Sequence, residues 1–397
     1  MTDNKKIHKS WILYFAAFLA NFGIGLINFT LVFFVNTKFN AGSALIGWMS
    51  ALWALAYLFG CLFLNNFREK LKPGRAIILA ALVMGISVFF IPLLNSLFAL
   101  IIIYMIFGLS TSLYWPPLMG WLSRGREGKK LGSSLAVFNL SWSSGVAVSP
   151  YIAGLIITQN ISLPLYIAAG IYGLIVAIFF FVTLFIQEFK PHDSKSIKIE
   201  EVVDQSSPLR LSGWIGVFSA YLFYGTLLFV FPLFAKNEWQ MSEDKIGLIL
   251  LFRALVSVIG FQLSGYSKWW HHKKSQLLIS QILLFSLAML LVFNQTQSIM
   301  IIAIISFGFL FSHMYTNSIF HGVSGSTNRE KRMAIHESAL TIGVVFGSAG
   351  GGIIYENSTI QATFLFCGAL VLLGLIAQIF STKSNSDSKL AKEKRTT

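Results

Sequence analysis

Twelve runs of about twenty mostly apolar residues fill this chain, at about 11–35, 44–64, 76–94, 97–122, 133–158, 162–186, 212–235, 246–267, 275–293, 299–321, 333–355 and 360–380. A helix needs roughly 20 such residues to cross the hydrocarbon of a bilayer. In lipid a lone span must satisfy every backbone hydrogen bond internally, which leaves the helix as the only choice for runs of this length. The expected fold class is therefore all-α integral membrane, with twelve transmembrane helices. The composition excludes the soluble alternative: 55% of the residues are hydrophobic and 12% charged, against about 25% charged in soluble chains. The first run is longer than the apolar core of a secretory signal and carries no small-residue cleavage site, so it is expected to stay as a helix.

The net charge of +14 raises the possibility of nucleic acid, and the placement of the cations removes it. With the runs crossing alternately, all but four of the 30 Lys and Arg fall on one side. The other side holds Lys38, Lys236 and Lys245, and Arg253 lies within a run. Cytoplasmic loops collect Lys and Arg, so both termini are expected in the cytoplasm and the protein in the cell membrane.

Residues 187–211 form the longest connection, polar and interrupted by Pro191 and Pro208, with six runs on either side. The two sides echo each other about 200 residues apart. Ile46, Gly47 and Gly60 align with Ile246, Gly247 and Gly260, and Phe107, Gly108 and Ser112 with Phe307, Gly308 and Ser312. Trp11, Ile12 and Phe15 align with Trp214, Ile215 and Phe218. The expected domains are a six-helix bundle at 1–186, a cytoplasmic central loop at 187–211 and a second bundle at 212–397 with a short tail. Duplicated units in membranes point to a transporter whose site lies where the repeats meet.

Two six-helix sets, inside termini and a charged central loop resemble the major facilitator superfamily across essentially the whole chain. That family's loop signature between helices 2 and 3 is matched by Gly60, Arg68, Gly74 and Arg75, with Leu64 and Asn65 where an acidic residue belongs. Gly145, Ser149, Pro150, Ala153 and Gly154 resemble its glycine/proline motif in helix 5, and Gly343, Gly347, Gly351 and Gly352 echo it in helix 11. The resemblance implies alternating access, with helices 1, 4, 7 and 10 lining a cavity. Carried over, it places Asn21, Asn28, Tyr224, His313 and Asn317 in the lining. Glycines let helices approach closely in lipid, and Pro150 removes a backbone hydrogen bond. Helices 5 and 11 are therefore expected to be hinge or packing elements, sliding against the opposite halves.

Charges inside a span are costly and mark function. Arg253 lies roughly 12 Å from one end of its run and 22 Å from the other at 1.5 Å per residue. It reads as an anion clamp for substrate, with a structural cation bonded to carbonyls or paired across helices as the other reading. Glu337, with His336 beside it, lies only about 7 Å from the cytoplasmic end, some 15 Å from Arg253 in depth. It reads as a gate or helix-start group, with proton coupling as the other reading. His313, Asn317 and His321 share one helical stripe, and His313 is either a proton carrier or a neutral hydrogen-bonder. His271 and His272, in a loop, are expected to be solvated.

The function expected is secondary active transport of a small organic solute, anionic or amphiphilic, with protons or another ion coupled to its movement. Drug-type efflux and nutrient uptake are both open, as is a transporter-like sensor without flux. The chain is expected to be a monomer in the bilayer and not an enzyme, since two separated charges do not form a catalytic cluster. No cofactor is expected, because no phosphate-cradling loop occurs. No metal is expected either: Cys61 and Cys367 sit singly in apolar runs, and no His/Cys/carboxylate spacing suits an ion.

Overall fold

The computed structural model describes residues 3–64, 67, 70–123, 128–185, 206–294, 296–326 and 329–396. The described residues form helices and short connections, with no strand, and twelve helices are long and apolar enough to cross a membrane. They are α1 (Ser10–Phe39), α2 (Ser43–Phe63), α3 (Pro73–Leu93), α4 (Leu97–Leu122), α5 (Ala136–Ile157) and α6 (Leu163–Leu184). The second six are α7 (Arg210–Asn237), α8 (Glu243–Tyr266), α9 (Lys274–Phe293), α10 (Gln297–Val323), α11 (Lys331–Asn357) and α12 (Ile360–Ser381). Each coincides with an expected run to within a few residues. Most of the expected central loop, residues 187–205, lies outside the described residues, as do Asn65 and Arg68 of the loop signature.

Local chemistry sets the ends. Pro73 opens α3 at a position where its missing N–H is an orphan in any case. In the α5–α6 connection Asn160 Oδ1 accepts the Ser162 N–H at 2.8 Å. In the α9–α10 connection Asn294 Oδ1 accepts the Thr296 N–H at 2.9 Å. Asn40 and Gln240, two hundred residues apart, turn the α1–α2 and α7–α8 connections with the same left-handed φ of 51°. The duplication seen in the sequence thus extends to backbone conformation.

The chain divides into two compact units, one of residues 1–191 with 231–255, the other of 192–230 with 256–397. The change of unit at 230/231 coincides with a break in α7 at Val230, just ahead of Pro232, which removes one N–H and crowds the preceding turn. In the first unit α1 packs on α5 and α6, α3 on α4 and α6, and α2 on α4. In the second, α7 packs on α10, α11 and α12, and α9 on α12 and α10.

The glycine motifs make backbone contacts within their own half and, on α5, also with α8. A side chain at Gly145 would place its Cβ 2.5 Å from Phe18 O of α1. At Gly343 it would lie 2.5 Å from Phe218 O of α7, and at Gly347 2.8 Å from Leu222 C. These glycines seat α5 on α1 and α11 on α7, each within its own half. The reason is steric: a buried central helix can touch its neighbour backbone to backbone only where side chains are missing. Only the far end of α5 reaches beyond its half. Gly154 abuts Asp244 Cα at 2.8 Å, and Gly247 abuts Pro150 C at 2.8 Å, all within the first unit. Gly351 faces Thr226 and Thr363.

α11 is not a regular helix. Residues Phe346–Gly350 form one π-helical turn, a widening that changes which carbonyls find partners. Gly347 O accepts the Gly351 N–H, and Thr226 Oγ1 of α7 adds a second donor to it at 3.0 Å, tying the widened turn to α7.

Candidate functional site

In the first unit α1 is buried on every side but one. From Trp11 to Asn28 its half-exposed or exposed positions are 11, 12, 14, 15, 18, 21, 22, 25 and 28, a single stripe at helical spacing. Tyr14, Asn21 and Asn28 all lie on it. Two amides facing hydrocarbon would each leave polar groups unsatisfied, so a stripe carrying both is poorly suited to face lipid. Tyr104 of α4 donates its hydroxyl to Asn28 Oδ1 at 2.8 Å, which fixes the amide plane and leaves its Nδ2 donors for a second partner. Beside it, Trp53 stacks on Tyr57 at 6.4 Å and on Tyr104 at 6.1 Å, with interplanar angles of 14° and 20°. Ring layering continues to Phe107 at 6.1 Å. Such offset stacks form an apolar wall with a few fixed hydrogen-bonding edges.

Arg253 also belongs to the first unit. It is ten residues into α8 from Glu243, so about 15 Å deep, and it is only 3% exposed. At the entry of the same helix, Lys236 forms an ion pair with Glu243 and lies 5.2 Å over the Phe33 ring of α1.

In the second unit α7 repeats the pattern. From Arg210 to Phe229 its exposed or half-exposed positions are 210, 211, 214, 215, 218, 221, 224 and 228. Tyr224 and Tyr221 stand on that stripe where Asn21 and Phe18 stand on α1. Tyr224 stacks on Phe311 at 5.0 Å and 25°, Tyr221 lies 5.1 Å from the same ring, and Tyr315 packs on Phe261 at 5.6 Å. Tyr315 in turn meets the His336 ring at 5.1 Å.

His313 and Asn317 are brought together, but inside the packing of the second unit. They are 5% and 1% exposed. Asn317 Nδ2 contacts His313 Nε2 at 3.1 Å and donates to His313 O at 2.9 Å. Ser264 Oγ contacts His313 Nδ1 at 3.3 Å, and Trp269 stacks on the imidazole at 5.7 Å and 5°. His336 is fully buried, with Ser318 Oγ on its Nδ1 at 2.8 Å. Glu337 is half-buried beside it. His321 meets Ser207 Oγ at 3.0 Å. Of the two loop histidines, His272 is exposed, whereas His271 lies on Phe320 at 4.1 Å. Partial burial, then His272 and Lys268, hold the His271 pKa below the usual imidazole value. Full solvation of His271 is thus not realised, because an imidazole face is apolar enough to cover a phenyl ring.

These features make two aromatic walls, one in each unit, with a small set of polar edges and one deeply buried cation. The sequence profile of the Major Facilitator Superfamily matches residues 13–318 and 213–396. The chain belongs to that superfamily. Its solved relatives have the same fold at low identity. The nucleoside transporter NupG shares 13% identity at a TM-score of 0.73, over 94% of this chain and 99% of that one. A bacterial homolog of the human lysosomal transporter Spinster, solved inward-facing and occupied, gives 12% and 0.73 over 97% and 98%. The human organic anion transporter MFSD10 gives 16% and 0.63 over 93% and 98%. Among curated proteins none matches by sequence. As a superfamily member the chain is a multi-pass membrane transporter of a small-molecule solute.

Sequence reasoning did not single out Tyr104, Phe311, Tyr315 or Ser264. The signal for Tyr104 was present, an aromatic hydroxyl within a span, but nothing in the sequence paired it with Asn28, 76 positions away.

Proposed function

We propose that this transporter moves a small amphiphilic solute, an aromatic body bearing an acidic group, by alternating access coupled to proton exchange. The observation that carries the reading is Arg253, a guanidinium 3% exposed in the middle of a membrane-spanning helix, where a charge is retained only for a purpose. Guanidinium binds carboxylate or phosphate through two parallel hydrogen bonds. Asn21, Asn28 and Tyr224, on the open stripes of α1 and α7, supply further contacts, and the rings around Trp53 and Phe311 take the apolar body. His313 and Asn317 brace α10 from within. Glu337 and His336 act as a gate rather than as the coupling pair. Gly145, Pro150, Gly154, Gly343, Gly347 and Gly351 set the helix contacts about which each half moves. Both termini are cytoplasmic, residues 187–211 link the halves at 1–186 and 212–397, and the working unit is a monomer. The names of two relatives, a nucleoside transporter and an organic anion transporter, each cover part of this chemistry.

The test is a thermal-shift series with aromatic carboxylates and their neutral amides, since a bound ligand stabilises the folded state. The carboxylates are expected to raise the melting temperature and the amides not, with the difference lost in Arg253→Gln. Equal shifts for acids and amides overturn the anionic substrate. Flux of the strongest ligand into proteoliposomes, with and without a pH gradient, then tests coupling. An unchanged rate removes the proton.

A further inference from the structure

A cavity of about 460 Å³ opens on the first unit between α3 and α6, away from the aromatic wall. Gly85, Ile86 and Phe89 of α3 and Tyr166, Gly170 and Gly173 of α6 shape it. It runs from Ala81 to Phe90 on one helix and from Tyr166 to Val176 on the other, about 14–15 Å at 1.5 Å per residue. One leaflet of hydrocarbon is about 15 Å thick, half of a bilayer core, and the cavity occupies the half of the spans nearest the α3–α4 and α5–α6 connections. A Cβ at Gly170 or Gly173 would meet nothing within 4 Å. At one end Phe89 and Tyr166 meet edge to face at 5.7 Å. Ile86 and Phe89, 50% and 48% exposed, stand on the apolar belt that a bilayer-spanning chain turns to lipid.

The repeat makes the cavity informative. On α12, which corresponds to α6, Gly368 sits at a similar level, and there a Cβ would run into Met289 Cε with Phe285 beyond it, both of α9. The fold therefore does not require an opening at this place, since the second unit fills it with its own side chains. An unfilled apolar void forfeits dispersion contacts along its whole lining, and an apolar cavity takes up hydrocarbon rather than water. We infer that the α3–α6 groove binds one acyl chain of a phospholipid, in the leaflet opposite the termini, as a fixed site rather than as part of the shifting lipid surround. The chain replaces the contacts that Met289 and Phe285 make in the other unit.

The test uses the full-length transporter in vesicles of phosphatidylcholine carrying a photoactivatable diazirine midway along one acyl chain, followed by peptide mapping. Adducts are expected to be enriched several-fold on 81–90 and 166–176 relative to other exposed apolar segments. Gly170→Leu and Gly173→Leu, whose side chains enter open space, are expected to remove that enrichment and leave adducts elsewhere unchanged. Gly173→Ala, with thermal unfolding measured alongside, separates loss of the site from loss of the fold. Adducts spread evenly over the exposed belt overturn the site, as does enrichment that survives both leucine variants in folded protein. Protection of the groove that depends on protein density in the vesicle assigns it to a second copy and equally overturns the lipid.

Discussion

Arg253 is the residue on which most depends. A cation at mid-membrane costs about 2.5–3.5 kcal/mol on insertion scales, and its repeat-related position is Trp53, so the fold does not call for a charge there. A hydrogen bond to a charged partner contributes about 1.5–3 kcal/mol, or roughly ten- to a hundredfold in affinity. Arg253→Lys keeps the charge and loses the planar fork. It is expected to weaken carboxylate binding by about tenfold or more on that scale, measured by titration against folded protein. Normal affinity in a folded Arg253→Gln variant makes the residue structural. Glu337 makes a different kind of claim. As a gate, Glu337→Gln is expected to change transport rates in both directions and leave their pH dependence intact. If proton-driven uptake disappears and counterflow persists, Glu337 is the coupling acid.

At the scale of helices, the α11–α7 seam is the most demanding contact in the second unit. Gly343 and Gly347 press on backbone atoms of Phe218 and Leu222, and backbone cannot rotate aside. Gly347→Leu is expected to cost at least the roughly 1–3 kcal/mol usual for overpacking, read as a lowered melting temperature. Gly170→Ala, with open space around its Cβ, is expected to be neutral or to add up to the roughly 1 kcal/mol by which alanine exceeds glycine in a helix. The π turn makes a separate prediction. Thr226→Val removes one of two donors to Gly347 O at nearly constant volume, for a loss of about 0.5–1.5 kcal/mol, that of a single hydrogen bond. An unchanged melting temperature shows that the widened turn satisfies itself.

For the whole molecule, topology and flux are the decisive measurements. Reporter fusions after residues 70, 127, 200, 272 and 330 are expected to report cytoplasm, and fusions near 40 and 240 the outside. An inversion between the halves contradicts the charge argument, because cytoplasmic loops hold most of the Lys and Arg.

The spans, their number and the duplicated halves were legible in the sequence because each is a local property. Burial in lipid demands a continuous apolar helix, and a repeat leaves matching residues at an offset near 200, as in Gly60 and Gly260. Depth was legible too, since a rise of 1.5 Å per residue places Arg253 without any knowledge of its neighbours. Which side of each helix meets which partner was not. Asn28 needed Tyr104, 76 residues on; His313 and Asn317 belonged to a stripe that packing turned inward; and Gly343 and Gly347 were readable as small but not as seated on α7. Helices that are apolar all round carry little rotational signal. Their facing is settled when side chains from distant helices compete for the same space, and that outcome exists only in the tertiary structure.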